Sequence, residues 1–146
     1  MRLLRLLLAT LAGVAVGSAV NMALILAGPH VVAPPAGADV GTSEGLKAAM
    51  RLFEPRHYVF PFLAHAVGTF AGALVAAWLA PGRTPGPAYA VGVFFLLGGI
   101  ASAFMLPAAG WFIALDLVLA YLPAAWLAHR VASAASQAPA RNPAGD

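Results

Sequence analysis

Four long apolar runs set the plan of this chain, at about residues 3–27, 58–80, 88–106 and 110–129, with short polar or Pro- and Gly-rich links between them. About 20 apolar residues are needed for a helix to cross the hydrocarbon of a bilayer. Each run is close to that length or longer, which predicts an all-α, four-helix transmembrane bundle forming a single domain over 1–130. The first run follows Arg2 and Arg5 and contains Gly17-Ser18-Ala19, as a secretory signal would. A signal core spans only about 7–15 residues, so the run is read as an uncleaved span. Residues 131–146, rich in Ala, Pro and polar side chains, are expected to be a disordered tail.

The one long polar connection, 28–57, opens with GPHVVAPPAGADVG, whose prolines and glycines forbid a regular helix. TSEGLKAAMRLF follows, with Leu46, Ala49, Met50 and Phe53 at helical spacing and Glu44, Lys47 and Arg51 opposite. This predicts an amphipathic helix over about 43–54, capped by Thr42 or Ser43, stopped at Pro55, and lying at the membrane interface or over the mouth of the bundle. Asp39 is read as a turn residue.

Small residues mark the faces that pack. Ala9, Gly13, Gly17 and Asn21 recur every fourth position in the first span; His65, Gly68, Thr69 and Gly72 share a face of the second; Gly92, Gly99 and Ser102 share a side of the third. Such faces let helix backbones approach closely in lipid. Gly13, Gly17, Gly68, Gly72 and Gly99 are therefore the expected packing positions. The link 107–110 is so short that the third and fourth spans must be antiparallel neighbours. Pro123 leaves the carbonyl of Leu119 without its helical partner and predicts a kink.

Composition agrees with a membrane setting: 62% of the residues are hydrophobic and 9% charged, with a mean hydropathy of +0.86. A soluble domain carries about a quarter charged residues. The net charge of +3 comes from cations scattered at the ends of the apolar runs, so no nucleic-acid partner is expected. With no cysteine there is no disulfide framework or thiolate site. In a four-span arrangement Arg2, Arg5, Arg83, Arg130 and Arg141 share one side and Lys47, Arg51 and Arg56 the other, which favours cytoplasmic termini.

Against this background one residue stands out. Asp116 lies between Leu115 and Leu117, well inside the fourth run, where an acid is costly without a partner. At about 1.5 Å per residue, Asn21, His65, Ser102 and Asp116 all fall roughly 6–11 Å below the same outer boundary. Two readings follow. In the first, Asp116 accepts hydrogen bonds from His65, Asn21 or Ser102, and the layer specifies packing. In the second, Asp116, His65, Asn21, Ser102 and Thr69 line a water-accessible site for a proton, cation or small polar ligand. Paired carboxylates, metal-spaced histidines and phosphate-binding loops are absent from the sequence. No catalytic residue, metal or cofactor is therefore assigned; bound haem or quinone ranks third. His30, His57 and His129 are read as solvated or interfacial.

PPAGADV with its following short helix, HAVGTFAGALVAAWLA, and PAAGWF paired with YLPAAWLA together resemble a family of uncharacterised small bacterial four-span integral membrane proteins. The resemblance implies four spans and a bacterial inner-membrane setting; it implies no activity and no functional residues. The expected function is a non-enzymatic structural or accessory component of the membrane. Its partners are the bilayer and, as an open alternative, a second copy or another membrane protein. The competing expectation is a small transporter or proton- or ion-handling protein built on the Asp-His-Asn layer.

Overall fold

The computed structural model describes residues 1–137. Its elements are α1 (Arg2–Val31), α2 (Ser43–Met50), a 3₁₀ turn (Pro55–Tyr58), α3 (Val59–Leu79), α4 (Gly86–Met105), α5 (Gly110–Leu119) and α6 (Leu122–Gln137). Four helical stretches are long and apolar enough to cross a membrane: Arg2–Val31, Pro55–Leu79, Gly86–Met105 and Gly110–Ala135. They pack together as an all-α bundle. Leu63, Val67, Phe94, Leu97 and Val118 are exposed on its outside, as expected of side chains that face lipid rather than water.

Backbone chemistry sets most of the boundaries. The residue before a proline avoids the helical region: Glu54 is extended ahead of Pro55, and Leu106 is extended ahead of Pro107, where α4 ends. The amphipathic segment is therefore shorter than expected. Its helix stops at Met50, Arg51 and Leu52 form a turn, and Phe53 follows outside it. The kink expected at Pro123 takes the form of a break in the fourth span. Ala120 and Tyr121 lie outside both α5 and α6, just ahead of Pro123. At its other end α6 runs to Gln137, past the expected stop near 129, so residues 131–137 are helical. The rest of the expected tail, 138–146, lies outside the described residues.

α1 and α3 meet along their glycines. A methyl added at Gly13 would lie 2.5 Å from the Gly72 carbonyl oxygen, and one at Gly17 would lie 2.8 Å from that of Gly68. Side chains at these positions would force the backbones apart. At the end where α1 begins and α6 finishes, α3, α4 and α6 share a seam of small residues. Ala73, Ala76, Ala77, Ala88, Val91, Ala125, Ala128 and Ala132 are all fully buried there. The Arg83 guanidinium, in the turn between α3 and α4, donates to the carbonyl of Ala132 on α6.

The opposite end is built differently. Met50, Tyr58 and Phe112 form its buried core, with Leu46, Phe53, Phe62 and Leu106 against them. The Tyr58 hydroxyl accepts the Ala109 N–H at 3.2 Å, joining the start of α3 to the link before α5. Small residues thus close one half of the bundle. Bulky side chains hold the other half apart.

Candidate functional site

Asp116 lies on α5 and is 4% exposed. His65 Nδ1, from α3, stands 2.9 Å from both carboxylate oxygens. The Tyr121 hydroxyl donates to Oδ2 at 2.8 Å. The His65 and Tyr121 rings lie 5.6 Å apart. Tyr121 is itself 1% exposed, with its hydroxyl seated over Gly99 of α4, where even a methyl group would collide with it. In an unbroken helix, residues five apart point about 140° away from each other. The break ahead of Pro123 lets Tyr121 turn back to the same carboxylate. Asp116 thus has donors from two elements, which offset the cost of burying its oxygens.

Only part of the expected layer meets at this acid. His65 does. Ser102 lines the adjacent cavity but makes no hydrogen bond to Asp116. Asn21 belongs instead to the α1–α3 seam, where a methyl at Gly68 would lie 2.9 Å from the Asn21 Cβ. Thr69 is fully buried, and neither Asn21 Oδ1 nor Thr69 Oγ1 has a hydrogen-bond partner. Gly99 acts as the seat of a tyrosine rather than as a seam between backbones.

Beside the acid is a cavity of about 420 Å³, lined by Asp116 and His65. It lies between the end of α1, α2, the 3₁₀ turn, the start of α3, the end of α4, and α5. Its walls are mostly apolar, with Ile25, Leu26, Leu106, Ile113 and Leu117 among them. Aromatic side chains join them at Phe53, Tyr58, Phe60 and Phe112. The acid layer therefore borders a cavity rather than packing against protein on every side. The packing explains why. α6 joins the alanine seam, whereas α5, beyond the break, faces bulky side chains that cannot close as tightly.

His57 was expected to be solvated or interfacial, but it is 8% exposed. The turn after Pro55 tucks its ring against Phe53, with centroids 5.1 Å apart. The Glu54 N–H donates to His57 Nδ1 at 2.9 Å, so the ring proton belongs on Nε2. That Nε2 has no hydrogen-bond partner, and His57 is part of the cavity wall.

Above the cavity, Asp39 organises the loop into α2. Its Oδ1 accepts the Gly41 N–H at 2.8 Å and its Oδ2 the Thr42 hydroxyl at 2.6 Å. Thr42 in turn caps α2 by accepting the Gly45 N–H at 3.1 Å. The Thr42 hydroxyl, followed by the Gly41 amide, holds the Asp39 carboxyl below the usual range. Among the described residues no group of three or more His, Asp or Glu converges as a metal site.

Two residues of this site escaped the sequence reading. Tyr121 carried a signal, a hydroxyl in mid-run that needs a partner. On a continuous helix, however, it points away from Asp116. His57 carried none, because its burial depends on the turn after Pro55. Comparison with known proteins found no matching family model, no matching curated protein and no matching solved structure.

Proposed function

We propose that this multipass membrane protein is a binding protein that receives a small amphipathic molecule in the cavity beneath α2. The polar foot of the site is the Asp116–His65–Tyr121 cluster, and the apolar walls hold the body of the ligand. The observation that carries this reading is the cavity itself, with its hydrogen-bonded acid at one side. Pockets of about 300–1,000 Å³, apolar with a few placed polar groups, are characteristic of small-molecule sites. The alanine seam at the other end favours holding a ligand over passing it across the membrane. The role is non-enzymatic, and α2 is the roof of the site. The excess of arginine at the end bearing the termini supports cytoplasmic termini, and a bacterial inner membrane is the setting this reading takes.

The test uses the purified chain in lipid nanodiscs, with thermal unfolding followed in the presence of decanoic acid, a decyl-substituted 1,4-benzoquinone or decylbenzene. A ligand at a hundred times its Kd stabilises the folded state by about 2.7 kcal/mol, a readily measured rise in midpoint. At least one probe should raise the midpoint of the wild type but not of Ile113→Trp, which fills the cavity. No rise with any probe would overturn the proposal.

A further inference from the structure

We infer that the ligand of this cavity is an uncharged lipid alcohol, with its hydroxyl on His65 and its apolar body along the cavity walls. The inference rests on the binding role proposed above and specifies its ligand. It starts from the second nitrogen of His65. Asp116 engages Nδ1. Nε2 has no hydrogen-bond partner among the described residues and, unlike Nε2 of His57, it is not buried. The His65 side chain as a whole is 24% exposed. That exposure is to the cavity, which His65 lines, rather than to lipid. Gly68 and Thr69, one turn on along the same face of α3, are buried, and Pro61, one turn back, belongs to the same cavity wall.

Charge and hydrogen bonding select the head group. Among the described residues that line the cavity, Asp116 is the one Asp or Glu, and none is Lys or Arg. His57 accepts at Nδ1 and is therefore neutral; His30 stands in the last turn of α1. With a proton on Nε2 the His65–Asp116 pair has no net charge, whether the proton between them sits on Nδ1 or on the carboxylate. Without it the pair is net negative. A carboxylate, phosphate or sulfate head would therefore bring an unbalanced charge into an apolar site. An ammonium head fits poorly for another reason, since the Asp116 carboxylate is buried and already met by His65 and Tyr121. Nε2 itself donates when protonated and accepts when not. An alcohol hydroxyl answers both states, accepting in the first and donating in the second, and it adds no charge. A ketone or an ether answers only the first. The body of the ligand has room to be long. The wall reaches the outside of the bundle at Ile25 and Leu26 of α1, both exposed, so an alkyl chain can continue from the cavity into the surrounding hydrocarbon.

The experiment is equilibrium binding of radiolabelled 1-decanol to the chain in phosphatidylcholine nanodiscs, measured against empty nanodiscs, with decyl sulfate, decylammonium and decylbenzene as competitors. Saturable binding of one decanol per chain is expected, poorly displaced by each competitor and weakened at least tenfold in His65→Phe. Asp116→Asn removes the negative charge and keeps a hydrogen bond to His65. The affinity of decyl sulfate relative to decanol should rise at least tenfold in that variant, a change of preference that a merely structural role would not produce. If any competitor binds the wild type more tightly than decanol, if His65→Phe binds decanol within twofold of the wild type, or if the preference is unmoved in Asp116→Asn, the ligand class is wrong while the cavity remains a binding site. If no probe binds at all, both readings fail. Should a variant fail to fold, the imidazole ¹⁵N spectrum of the wild type decides. The His65 Nε2 resonance must move when decanol is added, and an unmoved resonance contradicts the inference.

Discussion

Replacing Asp116 by leucine removes the acceptor shared by His65 and Tyr121, and the structure indicates what that costs. The Tyr121 hydroxyl is seated over Gly99 in a residue only 1% exposed. Water cannot readily take the place of the carboxylate there, and an orphaned buried hydroxyl costs about 1–3 kcal/mol. His65 adds less, because its side chain is 24% exposed and lines the cavity. Hydrogen bonds between membrane helices average only about 0.6 kcal/mol, since the unfolded chain also finds partners in the bilayer. The expected loss for Asp116→Leu is therefore about 2 kcal/mol, toward the middle of the orphaned-hydroxyl range. Asp116→Asn should cost under about 1 kcal/mol, because its oxygen still accepts from Tyr121 and its amide can donate to His65. Adding Tyr121→Phe to Asp116→Leu removes the orphaned hydroxyl and should recover about 1 kcal/mol, a coupling of the size seen between contacting residues. Unfolding in mixed micelles by titration with dodecyl sulfate, followed by tryptophan fluorescence, measures all four proteins. Equal stability of the Leu and Asn variants, or no recovery in the double variant, would refute the reasoning.

The remaining predictions concern the seam and the loop. Gly72→Ala places a methyl 2.5 Å from the Gly13 carbonyl oxygen, which cannot yield without moving α1; a loss of about 1–3 kcal/mol is expected in the same titration. Gly98→Ala, with open space around it, should be neutral or slightly stabilising. A Gly72 variant as stable as the Gly98 variant would contradict the close approach of α1 and α3. The Asp39 carboxyl is held below its ordinary value, so the cap it supports is fully present above the unfolded carboxyl range and is lost as pH falls through the folded value. The protection of the Gly41 and Gly45 amides, taken against their intrinsic exchange at each pH, should fall on acidification below about pH 4, and that fall should disappear in Asp39→Asn. Protection that stays constant with pH in the wild type would count against the cap.

The four spans were legible because length and hydropathy are one-dimensional properties, and the glycine seam followed from spacing alone. The pairing of His65 with Asp116 was also within reach, since two polar residues at one depth on packing faces have few other partners. Asn21 sits at the same depth but is turned into the α1–α3 seam, and depth does not report rotation about a helix. Tyr121 was hidden for a related reason. Helical periodicity assumes an unbroken helix, and Pro123 gives a break whose direction is set by what packs around it. The cavity entered the sequence reading only as one of two open alternatives. It arises from the difference between an alanine seam at one end and bulky side chains at the other, which becomes visible only when all the helices are assembled.

Whether the Asp116 layer is open can be measured directly, because the chain contains no cysteine and any introduced thiol is unique. Ser102 lines the cavity beside Asp116, whereas Ala128 is fully buried in the alanine seam. A small water-soluble methanethiosulfonate should modify Ser102→Cys in nanodiscs and leave Ala128→Cys unreacted, since attack requires a thiolate reached by water. A Ser102→Cys protein as inert as Ala128→Cys would contradict an open cavity at the acid layer.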